Sequence, residues 1–230
     1  MSLNAKTAPT AVGKKTEQPL LDIGTYPARV VQIIDLGLQP QMPYMGQEKD
    51  PQHEIMVGYE LVDSFMVNEK GEEMEDKPRW ISESFPFHNL SADLAKSTKR
   101  YMALDPTMAF DGEWPKLIGA PCEVTVGHKP GKGKNVGKTY INVTNVAPMR
   151  AAKAAKCPEL KNPPILFLLD EPDGETWQKL PDWIKERLKG NLNFRGSPLE
   201  AMLGGAKDKP SREEVDATAE EAVTEEGENW

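Results

Sequence analysis

Lysine and glycine alternate in the run GKGKNVGKT, which covers residues 131–139. A phosphate-binding P-loop has a glycine separated by four residues from its Gly-Lys-Thr block, and this chain has Lys132 there. A P-loop also leads into a helix, whereas a run rich in β-branched residues follows here. We therefore interpret the run as a hairpin loop whose lysines neutralise phosphates and whose glycines allow close backbone approach.

Basic residues are concentrated around this loop. The stretch from Val124 to Pro158 has no acidic residue and seven basic ones: Lys129, Lys132, Lys134, Lys138, Arg150, Lys153 and Lys156. From Glu48 to Glu83 the balance is reversed, with eleven acidic residues and four basic ones. Such segregation creates a local positive field even on a neutral body. A solvated lysine-rich loop is the alternative interpretation.

The acidic segment, residues 213–230, has eight acidic residues, no lysine or arginine, and Trp230 as its last residue. The whole chain has 36 acidic and 28 basic residues, so the remainder without this segment is neutral. A segment of this composition cannot bury enough apolar surface to fold, and like-charge blocks often act as interaction tails. The pattern predicts a disordered tail in which Glu225, Glu226, Glu228 and Trp230 bind a partner, with plain solubilisation as the alternative.

Aromatic residues beside basic ones are further binding candidates. Single-stranded nucleic acid binders combine a positive groove with rings on which bases stack. Trp80 follows Arg79, Tyr140 lies near Lys138, and Tyr44 is in a long loop. The faces of Trp80 and Tyr140 are otherwise polar, so an exposed ring there suggests a role. Three other aromatics are predicted to lie in the core: Tyr59, Phe85 and Phe87.

No catalytic or metal-binding signature is found. The three histidines lack ligand spacing, and Cys122 and Cys157 stand apart, which suggests inert thiols in a reducing, cytoplasmic setting. There is no apolar run long enough to span a membrane and no signal-peptide pattern. We expect a protein that is not an enzyme and has no cofactor, no bound metal and no membrane partner.

Periodicity predicts the elements that would position these residues. Strands are predicted over 26–36, 55–65, 79–87, 121–128 and 139–146, with a helix capped by Ser91 and ended by Pro106 between the third and fourth. This order is that of an OB-fold, a five-stranded Greek-key barrel. A short strand (165–169) and a helix (181–189) follow. We therefore predict a mainly β protein with a flexible arm (1–22), an OB-fold domain (23–150), an extension packed on the barrel (151–203) and a disordered acidic tail (204–230).

The chain also resembles a family of phage single-stranded DNA-binding proteins. The matching pieces are GTYPARVVQIIDLG at 24–37, LIGAPCEVTV at 117–126, KTYINVTNVAP at 138–148 and LPDWIKERL at 180–188. The resemblance implies an OB-fold, sequence-independent binding of single strands in DNA replication or recombination, and a tail that recruits replication enzymes. The run 40–80 departs most from the family pattern.

Together these observations predict a DNA-binding surface on the barrel. Its residues would be Arg29, Arg79, Trp80, Lys129, Lys132, Lys134, Lys138 and Tyr140. The expected partners are single-stranded DNA and, through the tail, phage or host replication proteins such as DNA polymerase or helicase-primase. Two alternatives stay open, an interaction protein whose tail mimics DNA and a metal-dependent nuclease. The sequence leaves open the oligomeric state, including a homodimer, and the choice between DNA and RNA.

Overall fold

The dominant element is an antiparallel sheet in the order β3-β2-β1-β4-β5. The structure is a computed structural model that describes residues 18–43, 45–131 and 136–205. The five strands are β1 (Gly24–Gln39), β2 (Gln52–Val67), β3 (Glu73–Pro86), β4 (Pro121–Pro130) and β5 (Thr139–Pro148). All five predicted strands are confirmed, although their bounds differ by a few residues from those predicted.

The helix α1 (Lys96–Leu104) follows β3 and precedes β4, as predicted, but it starts later than expected. Ser91 does not cap it, because the Asn89 side chain accepts a hydrogen bond from the Ser91 backbone and holds a turn there. The residue that precedes the helix is Ala95, which offers no capping side chain.

The two end strands of the sheet, β3 and β5, run in the same direction. Within the described residues they form no hydrogen-bonded ladder with each other, so the sheet is not closed into a barrel. Arg100 of α1 lies at this opening. Its guanidinium donates to Glu83 of β3 at 2.7 Å and to the Thr144 carbonyl of β5 at 3.5 Å. A buried side chain thus joins the two strands where backbone bonds do not.

The sheet separates two hydrophobic cores. One face packs the main core, which includes Tyr59, as predicted, and Tyr101 of α1. A β-bulge in β1 at Val31 shifts the register, and such a shift reverses the faces of the residues that follow. Ile34 and Leu36 therefore point to the outer face, where they pack against the extension in a second core.

A strap, residues 150–162, carries the chain from the end of β5 across the outer face. It includes the short helix α2 (Ala151–Ala154) and contacts the four strands β4, β1, β2 and β3. Lys153 pairs with Glu123 of β4 at 2.9 Å. Arg29 of β1 donates to the carbonyls of residues 157 and 158 at 2.9 and 2.6 Å. Glu60 of β2 receives the last part of the strap.

The carboxylate that holds the end of the strap, Glu60, is almost fully buried, with 1% of the residue's surface exposed. Its oxygens accept from the backbone N–H groups of Lys161 and Asn162 at 2.8 and 2.9 Å, and from the Asn162 side-chain amide at 2.7 Å. Three donors therefore compensate the loss of water around the charge.

Beyond the strap, β6 (Ile165–Phe167) pairs in parallel with β1 at residues 32–34. The helices α3 (Gly174–Lys179), α4 (Asp182–Lys189) and α5 (Pro198–Met202) complete the extension. Ile184 and Leu188 of α4 are buried in the second core together with Ile34 and Leu36 of β1. Among the described helices none is long and apolar enough to cross a bilayer.

The N-terminal segment 18–22 packs against the sheet although the sequence placed it in a flexible arm. Leu21 is buried in the main core, and its carbonyl lies 2.7 Å from a ring nitrogen of His128 on β4. Gln18 exchanges two hydrogen bonds with the Val67 backbone at the end of β2. Residues 1–17, the rest of the predicted arm, lie outside the described ranges.

We predict that Glu60→Ala destabilises the fold, because the strap donors lose their buried acceptor. The free energy of unfolding should fall by at least about 2 kcal/mol, since buried unsatisfied groups cost about 1–3 kcal/mol each. Urea unfolding measures the change. The control is Glu113→Ala, which removes the exposed Glu113–Lys116 pair and should cost no more than about 1 kcal/mol. Equal unfolding midpoints for the two variants would contradict the role of Glu60.

Candidate nucleic-acid interface

The hairpin of β4 and β5 brings together three of the predicted residues. Lys129 and Tyr140 are cross-strand partners in the register, and the alternation of each strand places both side chains on the outer face. Lys138 is exposed immediately before β5, where its carbonyl accepts from the Gly131 backbone at 2.8 Å. An exposed ring therefore lies across from the cationic Lys129 and two residues after the cationic Lys138.

Trp80 lies on the other side of the sheet opening. It is on the outer face of β3, and 44% of its surface is exposed, compared with 43% for Tyr140. Arg100 links Glu83 to Thr144 across the opening. Trp80 precedes Glu83 by three residues, and Tyr140 precedes Thr144 by four. Because β3 and β5 are parallel, both rings lie toward the same end of the opening.

We call Trp80, Lys129, Lys138 and Tyr140 the opening surface. It combines two half-exposed aromatic rings with two exposed ammonium groups. The strap contacts β3 on the N-terminal side of Trp80, at the carbonyls of Glu75 and Pro78. Rings can stack on planar groups, and ammonium groups attract phosphate. The arrangement suits an extended polyanion that carries unstacked bases.

Arg29 occupies a different position from the one expected. It is 9% exposed, and its guanidinium donates to Gly119, to the strap and to Glu159. Its donors are occupied by the protein because the strap crosses β1 at this residue. We therefore assign Arg29 a structural contact and leave it out of the opening surface.

Arg79 also serves an internal contact. Its guanidinium donates to the Pro19 carbonyl at 2.7 Å, which holds the N-terminal segment against β3. Burial lowers the pKa of this group, against a smaller raising effect from Tyr26. Although Arg79 precedes Trp80, the alternation of β3 directs the two side chains to opposite faces.

Several predicted residues lie outside the described ranges. They are Lys132 and Lys134 of the glycine-rich loop, Tyr44 of the loop between β1 and β2, and Glu225, Glu226, Glu228 and Trp230 of the acidic segment. Their predicted roles stay predictions.

The structure adds two residues that the sequence did not single out. Trp183 of α4 is 56% exposed. Ile184 and Leu188 are four residues apart and fix the buried face of α4, and Trp183 is out of phase with them. Lys179, at the end of α3, lies in the same groove as Trp183 and Trp80. The helical periodicity of α4 could have predicted that Trp183 is exposed, whereas nothing in the sequence distinguishes Lys179 from other lysines.

Phe87 is a correction to the predicted core. β3 ends at Pro86, so the next side chain leaves the sheet and is 41% exposed, while Phe85 is buried as predicted. Phe87 packs against His53 with ring centroids 5.7 Å apart. This aromatic contact lies just beyond the C-terminal end of β3, seven residues after Trp80.

The described residues contain no group of three or more potential metal ligands. Cys122 is buried, which raises the pKa of its thiol, and Cys157 is half-buried. His53 contacts Asp35 of β1 at 2.7 Å. The hydrogen bond to Asp35 raises the pKa of His53, with burial acting in the opposite direction.

Comparison with known proteins adds no relative: no protein-family model matches the chain, and no curated protein matches it.

The His53–Asp35 pair predicts a pH-dependent stability. Because the folded state raises the pKa of His53, the stabilisation is fully present below the unfolded value of about 6.5 and is lost as pH rises through the folded pKa. We expect the urea midpoint of the wild type, relative to Asp35→Asn, to decline between about pH 6 and about pH 8. The amide introduced by Asp35→Asn would keep an acceptor for the Gly37 backbone, which Asp35 now serves. A pH-independent difference between the two proteins would contradict the assignment.

Proposed function

We propose that this protein binds single-stranded DNA without sequence preference, as a non-enzymatic factor in phage DNA replication or recombination. One observation carries the proposal: the half-exposed rings of Trp80 and Tyr140 flank the sheet opening, with Lys129 and Lys138 beside Tyr140. Base stacking and phosphate neutralisation are the two components of sequence-tolerant single-strand binding.

The strand order supports an OB-type fold as the scaffold. The OB-fold is a partly open five-stranded Greek-key barrel with oligonucleotide-binding loops that include the one between strands four and five. Here the sheet has this strand order and the helix between β3 and β4. The opening between β3 and β5 corresponds to the open part of such a barrel, and Arg100 spans it.

The exposed lysines favour an anionic ligand. Taken together with the two exposed rings, they favour a nucleic acid over an acidic protein surface. Lys129 and Lys138 belong to the acid-free stretch 124–158, and neither has an ion pair among the described salt bridges. Ammonium groups without a protein partner can exchange counterions for phosphates, which makes binding salt-dependent. Phosphates and ring faces occur in every sequence, so such a surface is sequence-independent.

The acidic segment would provide regulation and recruitment. Eight carboxylates can compete with DNA for the same lysines, and DNA would release them together with Trp230. In this proposal Glu225, Glu226, Glu228 and Trp230 then bind a polymerase or a helicase-primase.

We predict that Tyr140→Ala and Trp80→Ala each weaken binding of unlabelled oligo-dT. The loss of one stacked base is worth about 1–3 kcal/mol, which corresponds to about 5- to 150-fold in affinity. Trp fluorescence titration at about 50 and about 200 mM salt measures affinity for Tyr140→Ala, and anisotropy of a labelled oligomer serves for Trp80→Ala. The control Trp177→Phe alters a ring of the second core and should leave affinity unchanged.

The outcomes of this titration separate the alternatives. Saturable wild-type binding that weakens with salt and is reduced in both variants supports the proposal. Absence of wild-type binding at the lower salt would contradict it and favour the DNA-mimic alternative, whereas magnesium-dependent loss of the oligomer would favour a nuclease.

We further predict that deleting residues 213–230 tightens oligo-dT binding at low salt. A coupling of at least about 1 kcal/mol, or about fivefold in affinity, is expected from removal of the competing charges. The effect should shrink at higher salt because exposed charges are screened. The control replaces the eight carboxylates by their amides at constant length, and should tighten binding as much as the deletion does. Unchanged affinity of the deletion variant would refute competition.

A further inference from the structure

A second groove lies between the outer face of the sheet and the extension. It encloses about 300 Å³. Its lining residues come from β1, β2 and β3 on one side and from β6, α3 and α4 on the other, and they include Gln32, Gly58, Trp80, Lys179 and Trp183. The two indoles among them, Trp80 and Trp183, are both about half exposed.

Gly58 lines this groove and has no side chain that would fill it. A Cβ built on Gly58 would lie 2.8 Å from the Gln32 Cβ, which is closer than side chains tolerate. The glycine therefore allows β1 and β2 to present a flat surface between the two tryptophans. The volume is at the lower end of the range for ligand sites, about 300–1,000 Å³, so the groove suits one small planar group.

Lys179 is the one charged residue among the described residues that line the groove. None of its lining residues is acidic, and Lys179 is exposed at its rim. Within the sheet, Glu60 is the register partner of Trp80, and its oxygens are taken by the strap. Next to the lining, the Asp182 carboxylate lies 3.7 Å from the Lys185 ammonium group. An anionic ligand therefore meets an ammonium group and no unpaired carboxylate of the lining.

Trp80 belongs to this groove and to the opening surface. A strand bound at Tyr140 and Trp80 could continue past Trp80 onto the extension, whose residues Lys179 and Trp183 line the same groove. This continuity, together with two exposed rings and a cationic rim, distinguishes a nucleic acid strand from an uncharged apolar ligand.

We propose that the groove binds one unpaired nucleobase between Trp80 and Trp183, with Lys179 contacting its phosphate. This inference rests on the proposed function and extends it, because it makes the extension part of the binding site. The base can be of any type, since stacking on indole uses the ring face.

The test uses Trp183→Ala and Lys179→Ala in the full chain, with anisotropy of a labelled oligo-dT as the readout at several salt concentrations. Trp183→Ala should weaken binding by about 5- to 150-fold, the range for loss of one stacked base. Lys179→Ala should reduce the slope of log affinity against log salt by about 0.7, the value for one single-strand phosphate contact. Trp183→Phe keeps a ring and should fall between Trp183→Ala and the wild type.

The controls are Trp177→Phe, in the second core, and Lys116→Ala, an exposed lysine in the turn Trp114–Leu117. Both should bind as the wild type does. If the wild type binds and Trp183→Ala stays within twofold of it, the groove inference is overturned while the proposed function stands. If the wild type itself does not bind, the proposed function fails, and the groove inference fails with it.

Discussion

The buried carboxylate of Glu60 fixes the arrangement on which the rest of the structure depends. A charge with 1% exposure needs full compensation, and the backbone and side-chain donors of Lys161 and Asn162 supply it. Those contacts end the strap at β2 and return the chain to pair β6 with β1. The position of β6 then sets that of α4, which covers the outward-facing Ile34 and Leu36. One buried carboxylate with three hydrogen bonds thus holds the end of the strap against the sheet.

The strap and the extension cover one part of the outer face, and the part around the sheet opening has a different role. Over β1 and β2 it is occupied by the strap and the second core, and the charged residues there, including Arg29, bind the protein itself. Around the opening between β3 and β5 the exposed residues include two aromatic and two cationic ones, Trp80, Tyr140, Lys129 and Lys138. The same opening requires an internal bridge, which Arg100 provides by contacting Glu83 and Thr144. The proposed binding surface is therefore a consequence of where the extension ends.

Sequence patterns predicted the strand order and the alternation well, because a period of two with one apolar face is a strong local signal. Trp80 and Tyr140 are outward as expected for this reason. The role of Arg29 could not be predicted from the sequence. Its neighbours in the sequence do not distinguish it from an exposed arginine, and its guanidinium is bound by the strap, 128 residues further along the chain. The late start of α1 has a local cause, since Asn89 rather than Ser91 organises the preceding turn. Trp183 and Lys179 meet Trp80 only through tertiary packing.

Photo-crosslinking of oligo-dT to the full-length protein, with the attachment sites mapped by mass spectrometry, tests the central claim most directly. The account predicts crosslinks at Tyr140 and Trp80, competed by unlabelled single strands and not by duplex of equal length. Crosslinks confined to the strap, or none at a concentration that saturates binding, would contradict it.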